Sequence, residues 1–227
     1  LRPTGKTPLL LMAVLVLSSM VLFAGSPSVI ASGSGSSSSV DSVNLKSGKW
    51  VYSIYIDKNK TRYAAITRYD GDELNVVIPS DFDGIPVKTV SREAFCNNKY
   101  MTSVLIPDSV TEIGKYAFSG CVGLGKVNYS SSLTTIGEGA FYGCWSLTEA
   151  VFPEGTQKIG SFSFYNCRHL KKIVFPSSLK SIGNSAFEGC ASLTAIAVPQ
   201  GVAEIGAETF AGCSSLTAVT LSESVAE

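Results

Sequence analysis

Histidine is nearly missing from this chain: His169 is the only one in 227 residues, and charged side chains make up just 16% of the whole. A single imidazole excludes sites built on paired histidines, whether for metal ligation or for proton relay. Eighteen basic residues are matched by eighteen acidic ones. There is therefore no positive excess of the kind that engages nucleic-acid phosphates. No Cys-x-x-Cys pair, Gly-x-Ser-x-Gly elbow or phosphate loop occurs, which removes the commonest thiol-redox, hydrolase and nucleotide signatures. The carboxylates form no recurring pair suited to glycoside hydrolysis. These absences point away from an enzyme, and no cofactor or metal is expected.

What the chain has instead is repetition. Ile-Gly-x-x-x-Phe-x-x-Cys-x-x-Leu recurs with isoleucines at Ile113, Ile136, Ile159, Ile182 and Ile205, each 23 residues after the last. The same interval separates Phe118, Phe141, Phe164, Phe187 and Phe210, and also Cys121, Cys144, Cys167, Cys190 and Cys213. A strict period of this length predicts a solenoid in which each repeat is one coil stacked on the next. A single coil cannot bury enough apolar surface to offset its own ordering entropy, so neighbours must share the core.

Within a repeat, Leu124-x-x-Val127-x-Tyr129 is a strand pattern that recurs at Leu147/Ala150/Phe152, Leu170/Ile173/Phe175, Leu193/Ile196/Val198 and Leu216/Val219/Leu221. It is the strand signature of leucine-rich repeats. The fold expected is an α/β-type solenoid, mostly β: a right-handed coil with one short parallel strand per repeat. Short helical turns are expected on the outer side at segments such as Tyr116-Ala117-Phe118. Gly114 and its equivalents are read as supplying a sharp bend. Phe118, Phe141, Phe164, Phe187 and Phe210 should then align in one row. The five repeated cysteines should form a parallel ladder whose side-chain vectors suit buried free thiols better than disulfides. Cys96 falls outside that ladder and is the candidate reactive thiol. His169 occupies a turn slot held elsewhere by Gly123, Ser146, Ser192 and Ser215, so it reads as a tolerated turn residue.

Ahead of the repeats, Arg2 and Lys6 precede an apolar run from Leu9 to Phe23 and then small residues. Residues 1–31 read as a secretory signal peptide. Residues 32–48 read as a Ser/Gly-rich linker, and residues 49–78 as a β-meander cap whose third strand is Glu73 to Ile78. The solenoid is assigned to residues 79–227. The sequence stops partway through a further repeat with no polar capping unit, which reads as a fragment or as a ragged last coil.

The repeat Pro107-x-x-Val110-x-x-Ile113-Gly114-x-x-Ala117-Phe118-x-x-Cys121-x-x-Leu124, with four further copies, resembles the BspA-type leucine-rich repeats, also called the Treponema pallidum type. Ser130 departs from the proline, Asn98 from the cysteine, and Ser163 and Thr209 from the alanine. The resemblance implies a bacterial secreted or cell-surface protein that binds other proteins, often as an adhesin for host extracellular-matrix or serum proteins. The membrane enters only through the signal segment if it is uncleaved. The alternative is a structural or targeting module of a larger surface protein.

The strand face is the candidate ligand-binding surface. Alternation turns two positions of each strand away from the core. One outward column contains Lys126, Glu149 and Lys172, a cross-strand charge ladder expected to neutralise itself. The other contains Leu105, Asn128, Val151 and Val174. Its apolar members read either as tolerated edge positions or as part of a docking patch.

Overall fold

A computed structural model describes residues 39–221; the proposed leader and the start of the linker lie outside the described residues. From Phe95 onward the chain winds in 23-residue coils, and each coil contributes two strand segments rather than the one expected. One series comprises Ser103–Leu105, Lys126–Asn128, Glu149–Val151, Lys172–Val174, Ala195–Val198 and Ala218–Leu221. The second comprises Glu112–Ile113, Thr135–Ile136, Lys158–Ile159, Ser181–Ile182 and Glu204–Ile205. Ile113, Ile136, Ile159 and Ile182 each pair in parallel with the isoleucine 23 positions on, the last being Ile205. The sequence period is thus converted directly into strand register.

The outer segments are not helical, which corrects the expected helical turns. In Lys115–Gly120 the amides alternate in direction. Those of Tyr116, Phe118 and Gly120 donate to the carbonyls of Glu138, Ala140 and Tyr142 on the next coil at 2.8, 2.8 and 2.7 Å. Those of Ala117, Ser119 and Cys121 turn back on carbonyls three residues earlier in their own coil. Tyr116 has φ 54° and Gly120 φ 71°, and a left-handed residue every fourth position cannot continue a right-handed helix. The segment therefore adds a third hydrogen-bonded connection between coils.

The glycine after each isoleucine also has a different role from the expected bend. Gly114, Gly137, Gly160, Gly183 and Gly206 do not adopt positive φ. A Cβ on Gly160 would lie 2.6 Å from Glu138 N and 2.7 Å from Gly137 C, and one on Gly183 2.4 Å from Ser161 N. These residues are glycine because the backbone of the preceding coil passes too close for any side chain. Ser91 fills the slot in the first coil, ahead of which there is no full coil.

The cap differs from expectation by one strand. β1 (Ser39–Ser47), β2 (Trp50–Ile56) and β3 (Arg62–Tyr69) form the antiparallel meander. Residues 39–47, expected as linker, are thus its first strand. β4 (Asn75–Val77), expected as the meander's third strand, pairs instead in parallel with Ser103–Leu105 and opens the solenoid. A hairpin of β5 (Asp81–Phe82) and β6 (Ile85–Val90) follows, turning through Asp83 and Gly84 at φ 52° and 76°. This hairpin makes the first repeat five residues longer than the 23-residue period, since Val77 pairs with Leu105. β3 pairs in parallel with β6, and β6 with Glu112–Ile113. One ten-stranded sheet therefore runs from cap into coils and covers the edge that the first coil would otherwise expose.

The core is a stack of columns. Phe95, Phe118, Phe141, Phe164, Phe187 and Phe210 follow one another with ring centroids 4.8, 5.2, 5.0, 5.2 and 5.8 Å apart, all close to parallel. Tyr69 and Trp50 close the row at the cap, with Tyr69 5.1 Å from Phe95 and Trp50 4.6 Å from Tyr69. Tyr52 stacks on Phe82 at 3.8 Å and ties the meander to the inserted hairpin.

Candidate functional site

The six cysteines are free thiols, five of them buried and Cys96 partly so. Each ladder thiol donates to the phenylalanine carbonyl one coil back: Cys121 to Phe95 O at 3.1 Å, Cys144 to Phe118 O and Cys167 to Phe141 O at 3.2 Å, Cys190 to Phe164 O and Cys213 to Phe187 O at 3.3 Å. Asn98 has the same place in the first coil and donates to Gly71 O at 3.3 Å, so it bonds back to the chain before the coil as the thiols do. Burial pushes the Cys121 thiol up to about 12 and drives Cys144 and Cys167 well above the usual thiol range. Thiols held protonated in this way are poor nucleophiles. Burial, then the nearby Glu93 charge, also raises Cys96. Among the described residues no group of three or more His, Cys, Asp or Glu side chains could hold a metal ion.

The strand face has a different chemistry. Val104, Ala150 and Ile173 point into the core, while their neighbours on either side face outward or lie at the surface. Leu105, Val151 and Val174 are 43%, 45% and 40% exposed. Val77 joins them at 63%, because β4 places it in register beside Leu105. Asn128 pairs with Leu105 in the next strand and interrupts the apolar column. Sequence reasoning missed Val77 by assigning it to the cap. Its signal was the tripeptide Val77-Ile78-Pro79, which repeats Leu105-Ile106-Pro107.

The charged column lies beside the apolar one. Lys126 is paired in register with Ser103, and Glu149 with Lys172. Register pairing is not ion pairing, however. Among the described salt bridges none involves Lys126, Glu149 or Lys172, so the ladder does not neutralise itself through direct contacts as expected. The described ion pairs cluster instead on the cap and first coils, for example Lys88–Asp57 at 3.4 Å and Lys115–Glu138 at 2.9 Å. The strand face therefore offers an apolar strip flanked by uncommitted charges of both signs.

Parallel strands in 23-residue register, a leucine and phenylalanine core and a solvent-facing strand surface define a leucine-rich-repeat solenoid, a scaffold for interaction. The sequence profile described as BspA type Leucine rich repeat region matches residues 88–217 in six copies. The chain belongs to the BspA-type leucine-rich-repeat family. Among solved structures it is similar to the Treponema pallidum leucine-rich-repeat protein, at 35% identity over 78% of this chain and 81% of that one, with a TM-score of 0.73. It is also similar to a leucine rich cell surface protein of Faecalibacterium prausnitzii, at 31% identity over 78% of this chain and 54% of that one, with a TM-score of 0.58. The pneumococcal vaccine antigen PcpA shares the fold at 21% identity, over 81% of this chain and 51% of that one, with a TM-score of 0.66. The chain thus spans about half the length of the latter two. No curated protein matches it significantly.

Proposed function

We propose that this chain is a secreted or cell-surface protein without catalytic activity, which binds another protein through its strand face. The observation that carries this reading is the outward apolar column Val77, Leu105, Val151 and Val174, lying beside Lys126, Glu149 and Lys172. An apolar strip bordered by polar groups is the composition of protein interfaces: the strip contributes burial and the charges orient the partner. The partner expected is an extracellular-matrix or serum protein, and the surface location is supported by the cell-surface description of the Faecalibacterium relative.

The test is a binding screen of the chain against immobilised matrix and serum proteins, repeated with Val151→Asp/Val174→Asp and with Lys172→Ala. Val151 and Val174 are exposed but are direct cross-strand partners, so two aspartates there repel each other, and a melting curve first establishes that the double variant is folded. It should bind its partner at least about tenfold more weakly, which is about 1.4 kcal/mol. Undiminished binding by the double variant would place the interface elsewhere on the solenoid.

A further inference from the structure

The turn side of the coils contains a second column of left-handed residues: Asn97, Gly120, Gly143, Asn166, Gly189 and Gly212, with φ between 57° and 73°. Only glycine and asparagine occupy it, as expected where a Cβ is penalised. Gly120 and Gly143 add no side chain of their own to the floor there, and the Asn97 amide oxygen lies over Gly120 where a Cβ would stand. Ser119, Tyr142, Val122, Trp145 and Arg168 line it, with Asn97 and Asn166. Together they enclose a trough of about 460 Å³, within the size range of small-ligand sites.

Its walls are aromatic and pre-arranged. Tyr142 and Trp145 are both exposed, although most large apolar side chains of these coils are buried. Tyr142 is held by stacking on Tyr165, with centroids 4.8 Å apart and planes 10° from parallel. The Arg168 guanidinium lies 5.4 Å from the centre of the Trp145 ring. Lys99 lines the trough one coil before Val122. No carboxylate lines it, and among the described salt bridges neither Lys99 nor Arg168 takes part. The trough is therefore rich in donors and positive, on a chain whose overall formal charge is zero.

The floor offers a ligand no free amide. The amides of Gly120 and Gly143 donate to Tyr142 O and Tyr165 O at 2.7 and 2.8 Å, while their carbonyls accept from Val122 N and Trp145 N at 2.9 Å. A peptide that binds by adding its main chain to a backbone edge needs alternating free donors and acceptors, and the floor amides are already used. A saccharide needs only what is present: ring faces for its C–H surface, amide and hydroxyl side chains for its hydroxyls, and cations for an acidic group. We propose that this trough binds a carboxylated oligosaccharide, stacked on Tyr142 and Trp145 with its carboxylate directed to Arg168 or Lys99. This site does not depend on protein binding at the strand face.

The chain has two tryptophans, of which Trp50 is buried in the cap and Trp145 lines the trough, so a change of indole emission on adding ligand reports on Trp145. The full chain is titrated with 3′-sialyllactose and with trigalacturonate, up to about 10 mM, the weak end of specific binding. Lactose, maltotriose and hexaglutamate serve as comparisons. The expected result is a saturable emission change with at least one acidic saccharide, weakened about fivefold or more by Arg168→Gln or Lys99→Gln. Melting curves confirm that both variants fold, and Val151→Asp/Val174→Asp should leave the titration unchanged. Absence of a saturable change with both acidic saccharides would overturn the proposal. So would an equal response to the neutral sugars, or binding of hexaglutamate alone.

Discussion

Replacing Tyr129 with phenylalanine should make the protein more stable. Tyr129 occupies the core position that Phe152 and Phe175 hold in the next two coils, and its ring packs 5.5 Å from Phe152 and 5.9 Å from Phe141. Its hydroxyl oxygen is buried with no hydrogen-bond partner, and burial raises the phenol well above its usual range. Leaving a buried hydroxyl unpaired costs about 1–3 kcal/mol. The space vacated by one oxygen returns only a few tenths of that as lost contact. Tyr129→Phe should therefore gain about 1–2 kcal/mol, or about 2–8 °C in melting temperature for a domain of this size. Urea denaturation followed by circular dichroism measures the gain directly, and the denaturant slope should not change. A loss of stability would refute the reasoning, because it would mean that the hydroxyl has a partner such as a buried water. Ser163 provides an independent check, as its hydroxyl is also buried and unpaired in a slot where Ala117, Ala140 and Ala186 sit. Ser163→Ala should be neutral or stabilising. Thr209→Ala in the same slot should not gain, because Thr209 already donates to Gly206 O at 2.6 Å and Gly183 O at 3.2 Å.

The thiols should divide into two classes. In the native protein an alkylating reagent should modify Cys96 alone, with a rate still climbing above pH 9 because burial and Glu93 raise that thiol; the five ladder cysteines should react only on unfolding. Because the ladder thiols stay protonated in the fold while unfolded thiols ionise near pH 8.5, the unfolded chain binds fewer protons above that pH. Their contribution to stability is thus complete below about pH 8.5 and declines as pH rises towards the folded value of about 12 at Cys121. A Cys144→Ala/Cys167→Ala variant should lose less stability than the parent across that range, and a parallel decline in both would refute the assignment. Gly160→Ala should destabilise by about 3 kcal/mol or more, because its Cβ would meet the backbone of the preceding coil at 2.6 Å. Ser91→Gly, at the equivalent slot of the first coil, should cost about 1 kcal/mol at most.

The spacing of Ile, Phe, Cys and Leu made the coil, its core rows and the outward strand columns readable from sequence, since a fixed interval leaves one way to stack identical windings. The features it hid are those that pattern cannot encode. Glu112–Ile113 is a strand of two residues, too short for alternation to show. β1, with the sequence SVDSVNLKS, has no clean apolar period, and its strand character comes from β2 beside it. The outer segments, too short for a helix proper, were expected to make single helical turns, yet the run Asn97, Gly120, Gly143, Asn166, Gly189 and Gly212 was a legible sign of left-handed backbone there. The trough was harder to see, because its lining is formed by residues 23 or more apart in sequence on neighbouring coils.

In a solenoid each position of the repeat is sampled once per coil, so the chain serves as its own comparison set. Phe118, Phe141, Phe164, Phe187 and Phe210 do not vary because every one packs on the next. The glycines of the close-approach column do not vary because backbone fills the space a side chain would need. Exposed columns are under neither constraint, and they change: Lys126, Glu149, Lys172, Ala195 in one, Val122, Trp145, Arg168, Ala191 in another. A large aromatic is not required by coil geometry at the Trp145 position, since Val122 and Ala191 make the same turn. Tyr142 and Tyr165 likewise stand where Ser119 and Glu188 suffice. The departures from the minimal repeat fall together on neighbouring coils: Tyr142, Trp145 and Arg168 line one trough, and Tyr165 stacks on Tyr142. Stacking does not demand that coincidence, but a ligand spanning two or three coils would.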